Sequence, residues 1–422
     1  MNPNGLNSSI QNETSLLQTL VGRETATATF ATPTARWYGD LSIARGPRLS
    51  TKPERRRSRD GMRNAKFMAP TFSGTYADEL AFETFPEYLQ YAIHPAPSGV
   101  SDSESTPGYT HTYEPSSVVP STFSAEHGFE GIPRRATGLQ FDEITIGADV
   151  GNTDGHWTFS GNLIVTQDVT RTPVAFTATG GSTSTFVDSG APFTSNSEQG
   201  KFVRVTAGHD ENLGQVVQVV SNTTTTLTFD RTLTQAIASS NTIEIMPLMT
   251  AGVADRDLNY IPTEGTKIYI ADALADIEDA GYEIPGKLIS FSVSLLNNIR
   301  SKKFLSDIGK NSPKRGYGNR VVTLTGVMEW DDWNEYRYFE ANTPEERSVL
   351  LKNTNGPVID SGAGTTHEVG IRLPSVFWNS MNPNNEREGN RIVNFDAYAY
   401  YNDTDGSTST WFSKSTVQTV PA

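Results

Sequence analysis

The nine residues LISFSVSLL, 288–296, decide the fold class. Ile289, Phe291, Val293 and Leu295 alternate with Ser290, Ser292 and Ser294. Successive side chains of a β-strand point to opposite faces, so such a segment buries one face and leaves the other in water, as antiparallel sheets do. The same period recurs through the chain. Trp157, Phe159, Leu163 and Val165 keep one phase with Gly161; Val322, Leu324, Met328 and Trp330 keep another, as do Val393, Phe395, Ala397 and Ala399. Asp154-Gly155 and Asp405-Gly406 are turn signals beside these runs, and the second predicts a hairpin joining strands near 391–401 and 409–419.

Helical signals are few. Thr84 and Glu87 have capping-box spacing with Pro86 in the first turn, and Phe85, Tyr88, Leu89 and Ala92 follow at i, i+3, i+4 and i+7. A second short helix is expected from Asp332 to Ala341, with Asp332 and Glu335 near its start and Pro344 past its end. The expected fold is therefore mainly β with two short helices.

The chain also repeats itself. Leu41-Ser42-Ile43 lies on Val293-Ser294-Leu295 and Ser73-Gly74 on Thr325-Gly326, at one offset of 252. Residues 137–147, TGLQFDEITIG, resemble 369–379, VGIRLPSVFWN, and 156–167 resemble 390–402. Four correspondences in one order point to a duplicated domain. Between the copies, 168–250 is rich in Thr, Ser and Gly, with Val203, Val205, Val216 and Val219 as core positions of short strands and Asn212–Gly214 as a turn. The organisation expected is an N-terminal arm (1–25), a first domain (26–167), an inserted all-β module (168–250), a linker (251–286) and a second domain (287–422). Residues 96–120, prominent in Pro, Ser and Gly, read as a surface loop.

Composition narrows the function. The chain has 422 residues, 48 acidic and 34 basic, for a net charge of −14. A chain so acidic is a poor general binder of nucleic acid or anionic membrane. It has no cysteine, which excludes disulfides, cysteine nucleophiles and thiolate metal sites and fits folding in a reducing cytoplasm. The first 20 residues lack the basic region and apolar run of a signal peptide, and nowhere do about 18 apolar residues run together, so no membrane span is expected. GxSxG, GxGxxG, the P-loop pattern and HExxH are absent. The six histidines, His94, His111, His127, His156, His209 and His367, are scattered. Asp331-Asp332 and Asp403 with Asp405 suit capping and turns, and Asp255 with Asp257 suits a solvated loop. Neither a catalytic site nor a metal or other cofactor is expected. Tyr398, Tyr400, Tyr401 and Trp411 flank the Asp405-Gly406 turn and read as sheet core or subunit interface, with glycan contact as the alternative.

KLISFSVSLLNNIRSKKFL (287–305), GYGNRVVTLTGVMEWDDWNEYRYFEA (316–341), RSVLLKN (347–353), VGIRLPSVFWNSMNP (369–383) and NRIVNFDAYAYY (390–401) follow one another in an order that resembles the tail tube (major tail) proteins of long-tailed bacteriophages. The resemblance lies in the succession of strand, glycine-bearing strand, helix, "LP" strand and closing strand. It implies β-sandwich subunits whose sheets join around a ring, rings that stack through a long loop of each subunit, and a virion tail assembled in the host cytoplasm. The function it implies is structural, a hollow conduit for DNA ejection. Partners would be further copies of the chain, in trimeric pseudo-hexameric or hexameric rings, together with neighbouring rings, tape-measure and other tail proteins. Genomic DNA would pass without specific binding. The inserted module departs from the simple pattern and would most easily decorate the outside. The alternative is a distal-tail or receptor-binding component with a glycan-binding insert.

One basic run stands out in this acidic chain. Lys52, Arg55, Arg56, Arg57, Arg59, Arg63 and Lys66, against Glu54 and Asp60, give 52–66 a net charge of about +5. The second repeat carries Lys302, Lys303, Lys310, Lys314 and Arg315 in the matching place. Both read as inter-ring contact loops that meet acidic surface on a neighbouring ring, where charge sets register and association rate. A phosphate-contacting patch and a plain solvated loop are the other readings.

Overall fold

The computed structural model describes residues 17–420 except 47–48, 52–64, 68–70, 94–99, 102–107, 116–117, 130–132, 152–154, 251–252, 279–281, 285–287, 303–313, 330–333, 341–344, 361–363, 388–389 and 419. The chain is mainly β, built from several antiparallel sheets with little helix. It divides into two compact units.

The smaller unit includes 125–136 and 168–254. Seven of its strands form one sheet, in the order Val174–Thr177, Thr242–Met246, Phe202–Ala207, Val216–Asn222, Thr226–Phe229, Thr185–Val187, Gly180–Gly181. Alternate residues, among them Val203, Val205, Val217, Val219, Leu227, Ile243 and Ile245, meet Phe186 and Phe193 in one core. The turn after Asp210–Asn212 needs Gly214, whose φ is +79°. Where the chain enters and leaves this module, the buried Glu126 carboxylate accepts hydrogen bonds from Arg171 Nη1 (3.0 Å), Arg135 Nε (3.3 Å) and the Thr250 amide (2.7 Å). Asp168 accepts from Arg134 Nη2 at 2.5 Å and lies 3.1 Å from His127 Nε2. Burial opposes the charge on Asp168, but His127 and Arg134 outweigh it and hold the carboxyl below its ordinary pKa.

In the larger unit, eight antiparallel strands follow one another by direct pairing. Their order is Asp40–Arg45, Phe72–Glu79, Thr158–Val165, Arg134–Asp149, Leu288–Leu296, Val321–Glu329, Asn390–Ala399 and Glu368–Arg387. The first four and the last four have the same order: first strand, second, fourth, third. In each half the third strand carries a bulge against the fourth, between Phe141 and Glu143 in one and between Trp378 and Ser380 in the other. Superposing the bulges places Leu41-Ser42-Ile43 on Phe291-Ser292-Val293, an offset of 250. The offset of 252 expected from sequence keeps the correct faces but slips the first two strands by two residues.

One face of this sheet is core. Across it, Leu41, Tyr76, Gly161, Ile144, Leu295, Val322, Ala399 and Val376 form a row of opposed residues. Gly161 is small because a Cβ there would stand 2.4 Å from the Phe141 ring. Gly326 lies under Phe395 in the same way. The helix Phe85–Ala92 is wholly buried, its rings packed with Trp37, Tyr76 and Phe159. The expected capping box does not form: Thr84 Oγ1 bonds within the turn to Ala81, and Glu87 pairs with Arg256, Nη2 to Oε2 3.0 Å. Arg256 is thus pinned inside the fold, while Asp255 and Asp257 are exposed on a loop, as expected, Asp255 pairing with Arg36. The second helix spans Asn334–Glu340 and is partly exposed.

A further set of strands pairs in the order Thr266–Ala271, Arg347–Asn353, the first part of Glu368–Arg387, Thr410–Ser415, Tyr109–Tyr113. Residues 251–286, read as a linker, therefore contain a strand with Ile268 and Ile270 buried. Residues 96–120, read as a surface loop, contain another, with His111 and Tyr113 buried. Leu17–Arg23, within the expected arm, is a strand as well. The hairpin expected at Asp405-Gly406 is also corrected. The turn exists, closed by an Asn402–Ser407 bridge, but the strands on its two sides pair with other strands and not with each other. Trp411 is fully buried, whereas Tyr398, Tyr400 and Tyr401 are exposed.

Gly161→Ala should cost about 1–3 kcal/mol of unfolding free energy in chemical denaturation, part of it restored by adding Phe141→Leu. Because the Asp168 carboxyl sits below its ordinary pKa, its contribution is complete above about pH 4 and is lost as pH falls through the lowered value. Asp168→Asn should therefore flatten the fall in stability of the smaller unit below about pH 4, measured by thermal melts across pH.

Candidate assembly surface

The outward face of the eight-stranded sheet comes from the polar half of each alternating strand. One row of opposed residues runs Asp40, Ala77, Ser160, Thr145, Ser294, Thr323, Tyr398, Phe377. The next runs Glu79, Thr158, Gly147, Ser292, Thr325, Asp396, Ser380, and a third Asp149, Ser290, Val327, Asn394, Asn382. On the other side of the first row lie Ser42, Thr75, Asn162 and Glu143. These four rows hold five carboxylates, Asp40, Glu79, Glu143, Asp149 and Asp396, and no lysine or arginine. Hydroxyl and amide groups bond along the surface: Thr145 Oγ1 to Ser294 Oγ at 2.7 Å, Asn162 Nδ2 to Glu143 at 2.8 Å, Asn379 Nδ2 to Asp396 at 2.6 Å. The small side chains leave a shallow trough of about 520 Å³ over Gly147, Ser292, Thr325 and Gly326.

The two basic stretches occupy matching places. Each follows the first strand of its half and precedes the second, and each is flanked in sequence by a two-stranded ribbon, Leu49–Thr51 with Ala65–Phe67 and Ile299–Ser301 with Arg315–Tyr317. Leu49 to Ile299 and Phe67 to Tyr317 are both 250 positions, the offset set by the bulges. Lys52, Arg55, Arg56, Arg57, Arg59, Arg63, Lys303 and Lys310 lie outside the described residues. Lys302 and Lys314 are exposed at the end of the second ribbon, where the Lys302 amide bonds the Lys314 carbonyl at 2.9 Å.

Arg315 is a correction to the contact-loop reading. Its guanidinium turns back into its own chain, donating to the Gly138 carbonyl, to Thr166 Oγ1 at 3.2 Å and to the Ile164 carbonyl at 3.5 Å. Burial lowers its pKa, as expected for a cation removed from water onto neutral acceptors. Tyr317, on the same ribbon, donates its hydroxyl to Gln140 Oε1 at 3.3 Å. The second half's ribbon thus clamps the first half at the ends of its third and fourth strands. Basic composition alone could not separate Arg315 from its neighbours; its place at a strand start, next to Gly316 and Tyr317, was the available signal.

Two strand edges complete the surface. The described pairings give Asp40–Arg45 one partner, Phe72–Glu79, and give Glu368–Arg387 beyond Val376 only Asn390–Ala399. Leu41 and Ile43 are half-exposed, whereas Phe291 and Val293, their counterparts in the second half, are buried beneath a neighbour. At the other edge Phe377 packs against Tyr400, ring centroids 5.1 Å apart.

No family model matches the sequence, and no curated protein is significantly similar to it. Among the described residues no cluster of three or more His, Asp or Glu side chains is placed to hold a metal ion, and no helix is long and apolar enough to cross a membrane.

Each hydrogen bond from a charged donor contributes about 1.5–3 kcal/mol. Arg315→Met should therefore lower the unfolding free energy of the larger unit by about 2 kcal/mol or more in urea titration; an unchanged midpoint would contradict the clamp.

Proposed function

We propose that the protein is a virion structural protein, the tail tube subunit of a long-tailed bacteriophage, which self-assembles into stacked rings around a hollow conduit for DNA ejection. The observation that carries this reading is the wide sheet of two matching four-strand halves, with one face core and the other hydroxyl-rich and acidic. Eight strands at about 4.8 Å spacing make a surface nearly 40 Å across. Carried around a ring, that face would line a lumen that repels phosphate, because tight DNA binding needs cationic contacts. DNA would then slide without being held.

The same reading takes the halves as two β-sandwich tube domains related by duplication, with the all-β module inserted between them. Support comes from the repeated strand order, the bulge in the third strand of each half, the ribbon at one offset and the helix that follows the second strand each time. A ring of three chains would present six such halves, and closing the ring would satisfy strand edges that otherwise invite uncontrolled pairing. The basic ribbons would meet acidic surface on the next ring. No enzymatic role is part of this proposal.

Negative-stain electron microscopy of the purified chain, over a concentration and salt series, tests the reading. Long hollow tubes with a regular ring repeat and sixfold-like end views are expected. Discrete closed particles that never extend would overturn it and favour a distal-tail or receptor-binding component, whose insert would then be screened against glycans.

A further inference from the structure

We propose that Asn355 is a site of spontaneous covalent modification: in the folded chain the amide nitrogen of Gly356 displaces its side-chain amide, leaving aspartate and isoaspartate at this position. The inference is independent of the conduit reading. Asn355-Gly356 lies in the connection between the strands Arg347–Asn353 and Val358–Asp360. Asparagine is one of the chemically labile residues that proteins of hot environments use sparingly. A glycine after it offers the least shielded attacking nitrogen, because glycine has no Cβ.

The reaction needs only water. The Gly356 nitrogen gives up its proton and attacks Cγ of Asn355, closing a five-membered succinimide ring, and the side-chain nitrogen leaves as ammonia. Water then opens the ring at one of its two carbonyls. One opening gives aspartate. The other gives isoaspartate, in which the main chain runs through Cβ and Cγ and is one carbon longer. Either way a neutral amide becomes a carboxylate.

The structure shows which atoms are tied and which are loose. Asn353 is fully buried, and its Nδ2 donates to the Pro262 carbonyl at 2.7 Å, to Thr266 Oγ1 at 3.1 Å and to the Glu264 carbonyl at 3.2 Å. Its Oδ1 accepts the Asn355 amide at 2.9 Å. Thr366 Oγ1 donates to the Thr354 carbonyl at 3.1 Å, and the His367 amide donates to the Pro357 carbonyl at 3.0 Å, with His367 Nδ1 2.8 Å from the same oxygen. Between these anchors, the Asn355 side chain and the Gly356 amide have no hydrogen-bond partner among the described residues. Asn355 is also exposed to the water that completes the reaction. Packing demands the glycine: a Cβ at 356 would stand 2.5 Å from His367 Cβ and 2.7 Å from the Phe82 ring.

Comparable pairs are restrained. Asn353, two positions away, holds its carboxamide in four hydrogen bonds and is not free to turn. In Asp405-Gly406 the Gly406 amide donates to the Asn402 carbonyl at 2.8 Å. Asn4-Gly5, the other Asn-Gly pair of the chain, lies outside the described residues, so conversion is read peptide by peptide and not from total ammonia. Isoaspartate would also disturb the loop. Its extra carbon falls between the Asn353 anchor and Gly356, which is wedged against Phe82 and His367, and a close-packed site has no room to absorb it.

The test is mass-spectrometric peptide mapping of the full-length folded chain, incubated at body temperature from mildly acidic to mildly alkaline pH. Aspartate and isoaspartate are expected at 355, formed faster as pH rises because the attacking amide must lose its proton, and at least tenfold faster than at Asn353. Asn355→Gln, whose longer side chain closes no five-membered ring, should keep the peptide intact at least ten times as long. Fresh Asn355→Asp should unfold at the same urea concentration as the unaltered chain, and the isoaspartate fraction at a lower one. An Asn355 that stays intact in the folded chain while the denatured chain converts overturns the proposal, because the fold would then shield the pair. Equal conversion at Asn353 and Asn355 overturns it as well, because the free and the tied side chains would then behave alike.

Discussion

A β-strand carries hydrogen-bonding groups along both of its edges, and the need to pair them governs this molecule. Inside the chain the constraint is met where Arg134–Asp149 meets Leu288–Leu296, turning two four-stranded halves into one sheet of eight. That junction aligns the serines and threonines of both halves on one face, stacks their apolar partners on the other, and brings Arg315 onto the carbonyl of Gly138. Among the described residues it leaves Asp40–Arg45, and Glu368–Arg387 beyond Val376, with one paired neighbour each.

Packing explains why the two halves share an order without sharing a sequence. In the first half Tyr76 stands opposite Gly161, and at the matching place in the second half Gly326 stands opposite Phe395. Ring and glycine have changed strands while the filled volume has stayed the same, which is the kind of exchange a close-packed core tolerates. Such swaps erase residue identity and keep the period of two. They also blur offsets, which is why residue identity alone points two positions away from the offset set by the bulges.

Much of the architecture was legible in the sequence. The Ser290-Ser292-Ser294 alternation, the core phase of Phe159, Leu163 and Val165, and the valines of the inserted module are where local pattern and burial agree, because each strand has one wet face. What escaped were segments whose reason for pairing is tertiary. Tyr109–Tyr113, YTHTY, has no aliphatic residue to signal a strand, and Thr266–Ala271 is short and set among loop residues. Asp405-Gly406 makes its turn, yet its flanking strands part to other partners, and no local signal records that. Of the site, the matching places of the two basic stretches in the strand order were legible, whereas the acidic face and the inward role of Arg315 were not. Both depend on which strands become neighbours, and neighbours are set by the junction.

In the proposed tube the hydroxyl-rich face would look into an enclosed space. The most direct measurement uses a single thiol placed on it, Thr325→Cys, reacted with a small maleimide and with one attached to a folded protein. In the dispersed chain both reagents should label fully. After assembly the small reagent should still label, and the bulky one should be excluded at least tenfold. Equal labelling by the bulky reagent before and after assembly would contradict the account, because the face would then look outward.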